Sequence, residues 1–179
     1  MSDDSEVDIA DAKVAWVEAA RPILVTAAGK YRATLTYKEL ADAVQEDSGI
    51  HTKVLRQRWI TDVLAGVARN CQAAGEPLLS SLCVNADGSN GPSYGPTVAE
   101  VRGEDAATDP DWQGAEERLA CYKAFGATLP SHGGTPALTP QMAGRRERAA
   151  VKAMENRPQP VCPTCFLRLP ASGPCHNCE

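Results

Sequence analysis

Cys162-Pro-Thr-Cys165 and Cys175-His-Asn-Cys178 set four cysteines as two Cys-x-x-Cys pairs with nine residues between them, and no other pattern in the chain restricts local structure so tightly. A Cys-x-x-Cys turn aims two thiolates at one ion. Two such turns fill a tetrahedron and leave no position for water, so the spacing specifies a closed structural site for one Zn2+ held by Cys162, Cys165, Cys175 and Cys178. Disulfides suit the same residues in an oxidising compartment. Met1-Ser-Asp-Asp-Ser-Glu is acidic where a secretory leader is basic, and no apolar run approaches the length of a leader core or a membrane span. The expectation is therefore a cytoplasmic chain with reduced thiols, one zinc ion and no membrane partner.

Between the pairs, Phe166-Leu-Arg-Leu-Pro-Ala-Ser-Gly-Pro reads as a short hairpin too small for a core of its own, which leaves its stability to the metal. His176 lies inside the second turn and is expected to face outward, because four cysteines already complete the site. Residues 158–179 resemble a zinc ribbon. Modules of that kind occur in nucleic-acid enzymes, transcription factors and adaptor proteins, so the resemblance implies a scaffold and leaves the activity open.

The rest of the chain has to build a core from few large side chains. Apolar residues make up 43%, but Phe occurs twice and Trp three times in 179 residues. Leu, Val and Ile must carry a modest core in the first hundred residues. Arg outnumbers Lys twelve to six and Ala is abundant, a bias expected of a GC-rich bacterial or phage coding sequence. Net charge is −5, unevenly spread: residues 1–50 hold ten acids against five bases, whereas 139–157 hold Arg145, Arg146, Arg148, Lys152 and Arg157 against Glu147 and Glu155. Such a balance disfavours strong non-specific nucleic-acid binding while allowing it through a patch.

Apolar residues from Ile9 to Ala27 recur at helical spacing and predict a helix, or a pair of helices broken at Pro22, ending near Gly29. Residues 32–36 read as a short strand. Thr36, with Glu39 three positions on, forms a capping box for a helix to about Gln45. A longer helix is predicted from Lys53 to about Ala74, with Leu55, Trp59, Val63, Val67 and Cys71 on its apolar face. Leu78, Leu82 and Val84 alternate as in a strand, Ala86-Asp87-Gly88-Ser89-Asn90-Gly91 is turn chemistry, and residues 93–95 begin a returning strand. A helix over 112–125, a Gly/Pro/Thr linker over 126–140 and a polar, basic helix over 141–156 complete the pattern.

The fold class expected is α+β, with a winged helix-turn-helix-like core at 5–101, a helical and linker region at 102–157, and the zinc ribbon at 158–179. Thr36-Tyr37-Lys38-Glu39-Leu40-Ala41, followed by a basic helix, an apolar strand and Asp87-Gly88, resembles the DNA-binding domain of alkylguanine-DNA alkyltransferases and their alkyltransferase-like relatives over about 60 residues. The resemblance implies a recognition helix after the capping box and a nucleic-acid scaffold. It does not imply alkyl transfer: the Pro-Cys-His-Arg motif of that family is absent, Ser80 stands where its nucleophile would fall, and Cys83 lacks a neighbouring histidine. Residues 45–52 also lengthen the turn between the helices.

Lys53, Arg56, Arg58 and Arg69 on the long helix, Tyr94 near the hairpin tip, and Arg145, Arg146 and Arg148 ahead of the cysteines are the candidate nucleic-acid contacts. Each basic residue also suits an ordinary solvated helix face. Trp16 and Trp59 fall on apolar stripes, as do the thiols of Cys71 and Cys121. The three histidines, His51, His132 and His176, stand apart from any triad or nuclease spacing, and no catalytic residue is assigned. The leading expectation is a non-catalytic, zinc-containing protein that binds nucleic acid, DNA before RNA, or regulates such a process. Its rival is an interaction protein that grips a protein partner through the zinc knob and acidic surface. A nucleic-acid-processing enzyme would need a cleft gathering Cys83, His51 or acidic side chains. No small-molecule substrate is indicated.

Overall fold

A computed structural model describes residues 8–157, 161–169, 175, 177 and 178. Its elements in chain order are α1 (Ile9–Ala28), β1 (Leu35–Thr36), α2 (Tyr37–Ser48), α3 (Ile60–Ala73), β2 (Cys83–Val84), α4 (Tyr94–Arg102), α5 (Pro110–Ala124) and α6 (Pro140–Glu155). The described chain is thus mostly helical, with one tiny parallel sheet in which Leu35 faces Cys83 and Thr36 faces Val84. It divides into two compact units, Met1–Met142 and Ala143–Glu179.

In the first unit α1 is the central element, packed by α2 and α3. Its side chains Trp16, Ala20 and Leu24 are sealed from solvent. Trp16 and Trp59 are 0% and 1% exposed, with ring centroids 4.2 Å apart. Each indole Nε1 donates to a backbone carbonyl, Trp16 to Ile50 and Trp59 to Val54, so neither polar atom is stranded by burial. The helix runs through Pro22 without a break. Burial of Ala19 and Ala20 before the proline and of Leu24 and Ala28 after it offsets a lost ladder bond that costs about 3 kcal/mol in an unsupported helix.

The capping box stands as its residues predict. Thr36 Oγ1 accepts from Glu39 N at 3.2 Å, and Glu39 Oε2 accepts from Thr36 N at 2.7 Å. Gly49 then ends α2 in the left-handed conformation, φ 69°.

The helix predicted from Lys53 begins only at Ile60, behind a single 3-10 turn at Arg56–Arg58. Local side chains hold the preceding segment open. Gln45 Oε1 takes the Thr52 amide at 2.9 Å, Thr52 Oγ1 takes the Val54 amide at 3.1 Å, and the Trp59 indole occupies the Val54 carbonyl. Residues 52–54 are thereby committed to a turn, the outcome Thr favours when its hydroxyl competes with the helix ladder.

The predicted hairpin over 77–95 is replaced by other structure. Leu78 N donates to the Glu117 carboxylate at 2.7 Å, Leu79–Leu82 close a buried 3-10 turn, and β2 pairs in parallel with β1. The turn itself lies where the sequence puts it: Gly88 has φ 79° and Ser89 N donates to Asp87 Oδ1. The next element is the helix α4, in place of a returning strand. Leu79, Ser80, Ser81 and Leu82 are all buried, so alternation of one dry and one wet face, the premise of a hairpin strand, does not hold there.

Residues 102–142 also join the first unit. Asp109 caps α5 by accepting from Trp112 N, and Ala115, Leu119, Cys121 and Tyr122 of that helix are buried. Tyr122 OH donates to Ala33 O at 2.7 Å. The stretch read as a linker packs as well, through the Tyr31 hydroxyl on the Thr135 backbone and through Leu129 against the core. In the second unit, α6 presents a mostly exposed, basic surface.

Candidate metal centre and basic surface

The cysteine cluster of the second unit forms from the backbone outward. Val161 and Arg168 make an antiparallel bridge, Cys162 N donates to Leu167 O, and Phe166 N returns to Cys162 O, which folds residues 161–168 into a knuckle. Phe166 sits at φ 57°, the left-handed conformation needed to reverse the chain in so few residues. Thr164 N points at Cys162 Sγ from 3.4 Å.

The sulfur atoms of Cys162, Cys165, Cys175 and Cys178 all lie within 4.8 Å of one another. The Cys162–Cys178 and Cys165–Cys175 sulfurs are 3.7 and 3.5 Å apart. A disulfide requires about 2.05 Å. Four thiolates on a tetrahedral Zn2+ at about 2.3 Å stand roughly 3.8 Å from one another. The donor set and its spacing therefore fit a single zinc ion, with all four positions filled by protein. Amide donors at Cys165 and Thr164 draw the Cys162 thiol down to about 6, whereas bonding to the neighbouring Cys165 thiol pushes Cys178 up to about 12. Four sulfurs this close repel as thiolates unless a cation sits between them. The expectations for His176 and for residues 158–160 and 170–174 lie outside the described residues.

The basic candidates fall in different settings. Lys53 and Arg58 are exposed and Arg56 is half-buried, on the turn before α3 and beside the exposed side chains of Val54 and Leu55. Among the described residues none of these three cations forms an ion pair, while Lys13, Arg21, Lys38 and Arg102 bond to Asp62, Glu76, Asp42 and Glu117 respectively. Arg69 is exposed and stands 4.0 Å from Glu100. Arg145 and Arg148 are exposed on α6 and Arg146 is half-buried there. Tyr94, expected at a hairpin tip, is the first residue of α4 and only 7% exposed.

The cysteines of the first unit are placed as apolar residues. Cys71, Cys83 and Cys121 are buried, and desolvation raises each thiol, Cys121 to about 12, so all three stay protonated and unreactive near neutrality. His51 is on an exposed loop. Ser80 is buried, and its hydroxyl and that of Tyr94 border a cavity of about 20 Å3 without a protein hydrogen-bond partner. That space accommodates one water.

Two functional-looking residues escaped the sequence reading. Glu117 and Arg118 are adjacent, charged and buried on α5. Glu117 binds Leu78 N and the Arg102 guanidinium. Arg118 Nη1 donates to Ser81 O and Asn90 Oδ1 at 3.1 Å each. The available signal was the poor apolar periodicity of α5, a helix that must still bury a face. No family model, curated protein or solved structure matches the chain. Among the described residues no helix is long and apolar enough to cross a membrane.

Proposed function

We propose that this is a cytoplasmic, non-catalytic nucleic-acid-binding protein that carries one structural zinc ion, with duplex DNA as the preferred ligand. The observation that carries the reading is the unpaired cation cluster Lys53, Arg56 and Arg58. In a chain of net charge −5, several of whose other bases are engaged by carboxylates, three cations without an ion pair within residues 53–58, ahead of α3, are a favourable site for phosphates. Arg145, Arg146 and Arg148 supply a second basic segment before the zinc module. The winged-helix form of the idea is narrowed by burial. Ile60, Val63, Leu64, Val67 and Cys71 commit most of α3 to the core, so contacts come from the turn at its start and from Arg69 rather than from a free recognition helix.

Fluorescence anisotropy of labelled duplex DNA, titrated at several salt concentrations, tests this. Three phosphate contacts correspond to a slope of log K on log salt of about −2.7, and the Lys53→Ala, Arg56→Ala, Arg58→Ala triple variant should lose most of it. Absence of binding to duplex, single-stranded DNA and structured RNA alike would sink the proposal.

The adaptor reading keeps one specific support. Phe166, Leu167 and Val161 are exposed together on the cysteine knuckle, Phe166 at 77%. A stoichiometric protein partner that survives nuclease treatment and is lost on Phe166→Ala would favour it over nucleic-acid binding.

A further inference from the structure

The first unit holds a partly open cavity of about 100 Å3, lined by Tyr31 and Tyr122, whose walls carry two arginines, Arg118 and Arg32, and no acidic side chain. Arg118 is 3% exposed. Its Nη1 is spent on Ser81 O and Asn90 Oδ1, both uncharged acceptors, and among the described residues no carboxylate forms an ion pair with it. Asp111 accepts from Asn90 N, and Glu117 accepts from Leu78 N and pairs with Arg102. Burial lowers the affinity of the guanidinium for its proton, with Tyr122, Tyr94 and Asp111 opposing it more weakly. A buried cation that no carboxylate contacts directly is an expensive arrangement in a folded core.

A second observation comes from the rim of the cavity. Arg32 has φ 65°, a conformation that costs an L-residue roughly 1 kcal/mol or more. Its guanidinium lies 5.3 Å from the centre of the Tyr31 ring, another wall of the same cavity. Strain held by a charged residue at a cavity edge is the kind of outlier from which a binding role is inferred.

We propose that this cavity binds a small oxyanion, a carboxylate or phosphate group whose oxygens meet the free edge of the Arg118 guanidinium while Arg32 approaches from the rim. The planar fork of arginine matches two oxygens on one centre, a geometry the two groups share. A cavity of about 100 Å3 suits a small head group such as a phosphate or a two- to three-carbon acid. Ala115, Leu119 and Leu138 on the wall suit a short apolar stem behind the charged head.

The experiment is thermal melting and titration calorimetry of the full chain with sodium phosphate and with sodium propionate, against sodium chloride at matched ionic strength. The expected result is a saturable rise in melting temperature with at least one of the two oxyanions and none with chloride; which one acts identifies the head group. Ala137→Leu enlarges a wall residue while leaving the bonds of Arg118 to Ser81 and Asn90 intact, so it should fold normally and weaken binding at least tenfold. Arg118→Gln should do the same where it folds. A melting temperature indifferent to both oxyanions, or a response undiminished in Ala137→Leu, would overturn the proposal and leave Arg118 as a purely structural tether.

Discussion

Thr36 and Glu39 satisfy each other's backbone at the start of α2, and the bond geometry makes their contribution separable. The Thr36 amide and hydroxyl hold the Glu39 carboxyl below the usual glutamate range. A depressed folded value means stabilisation that is complete above the unfolded value of about 4.3 and is lost as pH falls through the folded value. Thr36→Ala should therefore cost about 1 kcal/mol in urea unfolding near pH 7. Glu39→Gln should destabilise near pH 7, and the difference should shrink as pH falls through the depressed folded value of Glu39. The capping box was legible in the sequence because a Ser/Thr-x-x-Glu motif acts within one turn and needs no tertiary partner. Arg118 was not, because its burial depends on Ser81 and Asn90, far away along the chain.

Among elements, the crossing of α1 and α3 depends on an absent side chain. A Cβ on Gly66 would sit 2.6 Å from Val17 Cγ2, so the two helices approach more closely than any side-chain-bearing residue allows. Gly66→Ala gains about 1 kcal/mol of helix propensity yet meets a β-branched neighbour with few alternative rotamers. The net effect expected is a loss of about 1 kcal/mol, reversed in sign when Val17→Ala is added, as a double-mutant cycle by chemical denaturation would show. Helical periodicity located these helices to within a few residues, whereas the start of α3 was misplaced by about two turns. The polar side chains of Gln45 and Thr52 decide that boundary, and periodicity of apolar residues carries no information about them. The hairpin expected over 77–95 failed for a related reason: burial of both faces at 79–82 erases the difference between a strand and a turn. For the cysteine knuckles, elemental analysis should find about one zinc per chain, absent when Cys162 and Cys165 are both changed to Ser. Protein purified without metal and with four titratable thiols would overturn the zinc assignment.

At the scale of the whole molecule, the cation-rich turn and the core share a single strip of backbone. Lys53, Arg56 and Arg58 flank Val54, whose carbonyl holds the indole of Trp59, and Trp59 stacks on Trp16 of α1. The strip is anchored from behind by the largest side chains the protein possesses, which presents its charges from a firm base. Two indoles at a centroid spacing of 4.2 Å share their excited states, whereas Trp112 stands apart at the surface. The protein thus contains its own chromophore pair behind the proposed phosphate-binding segment, and a ligand that moves that segment would register as a change in ultraviolet emission and near-ultraviolet ellipticity without any added dye.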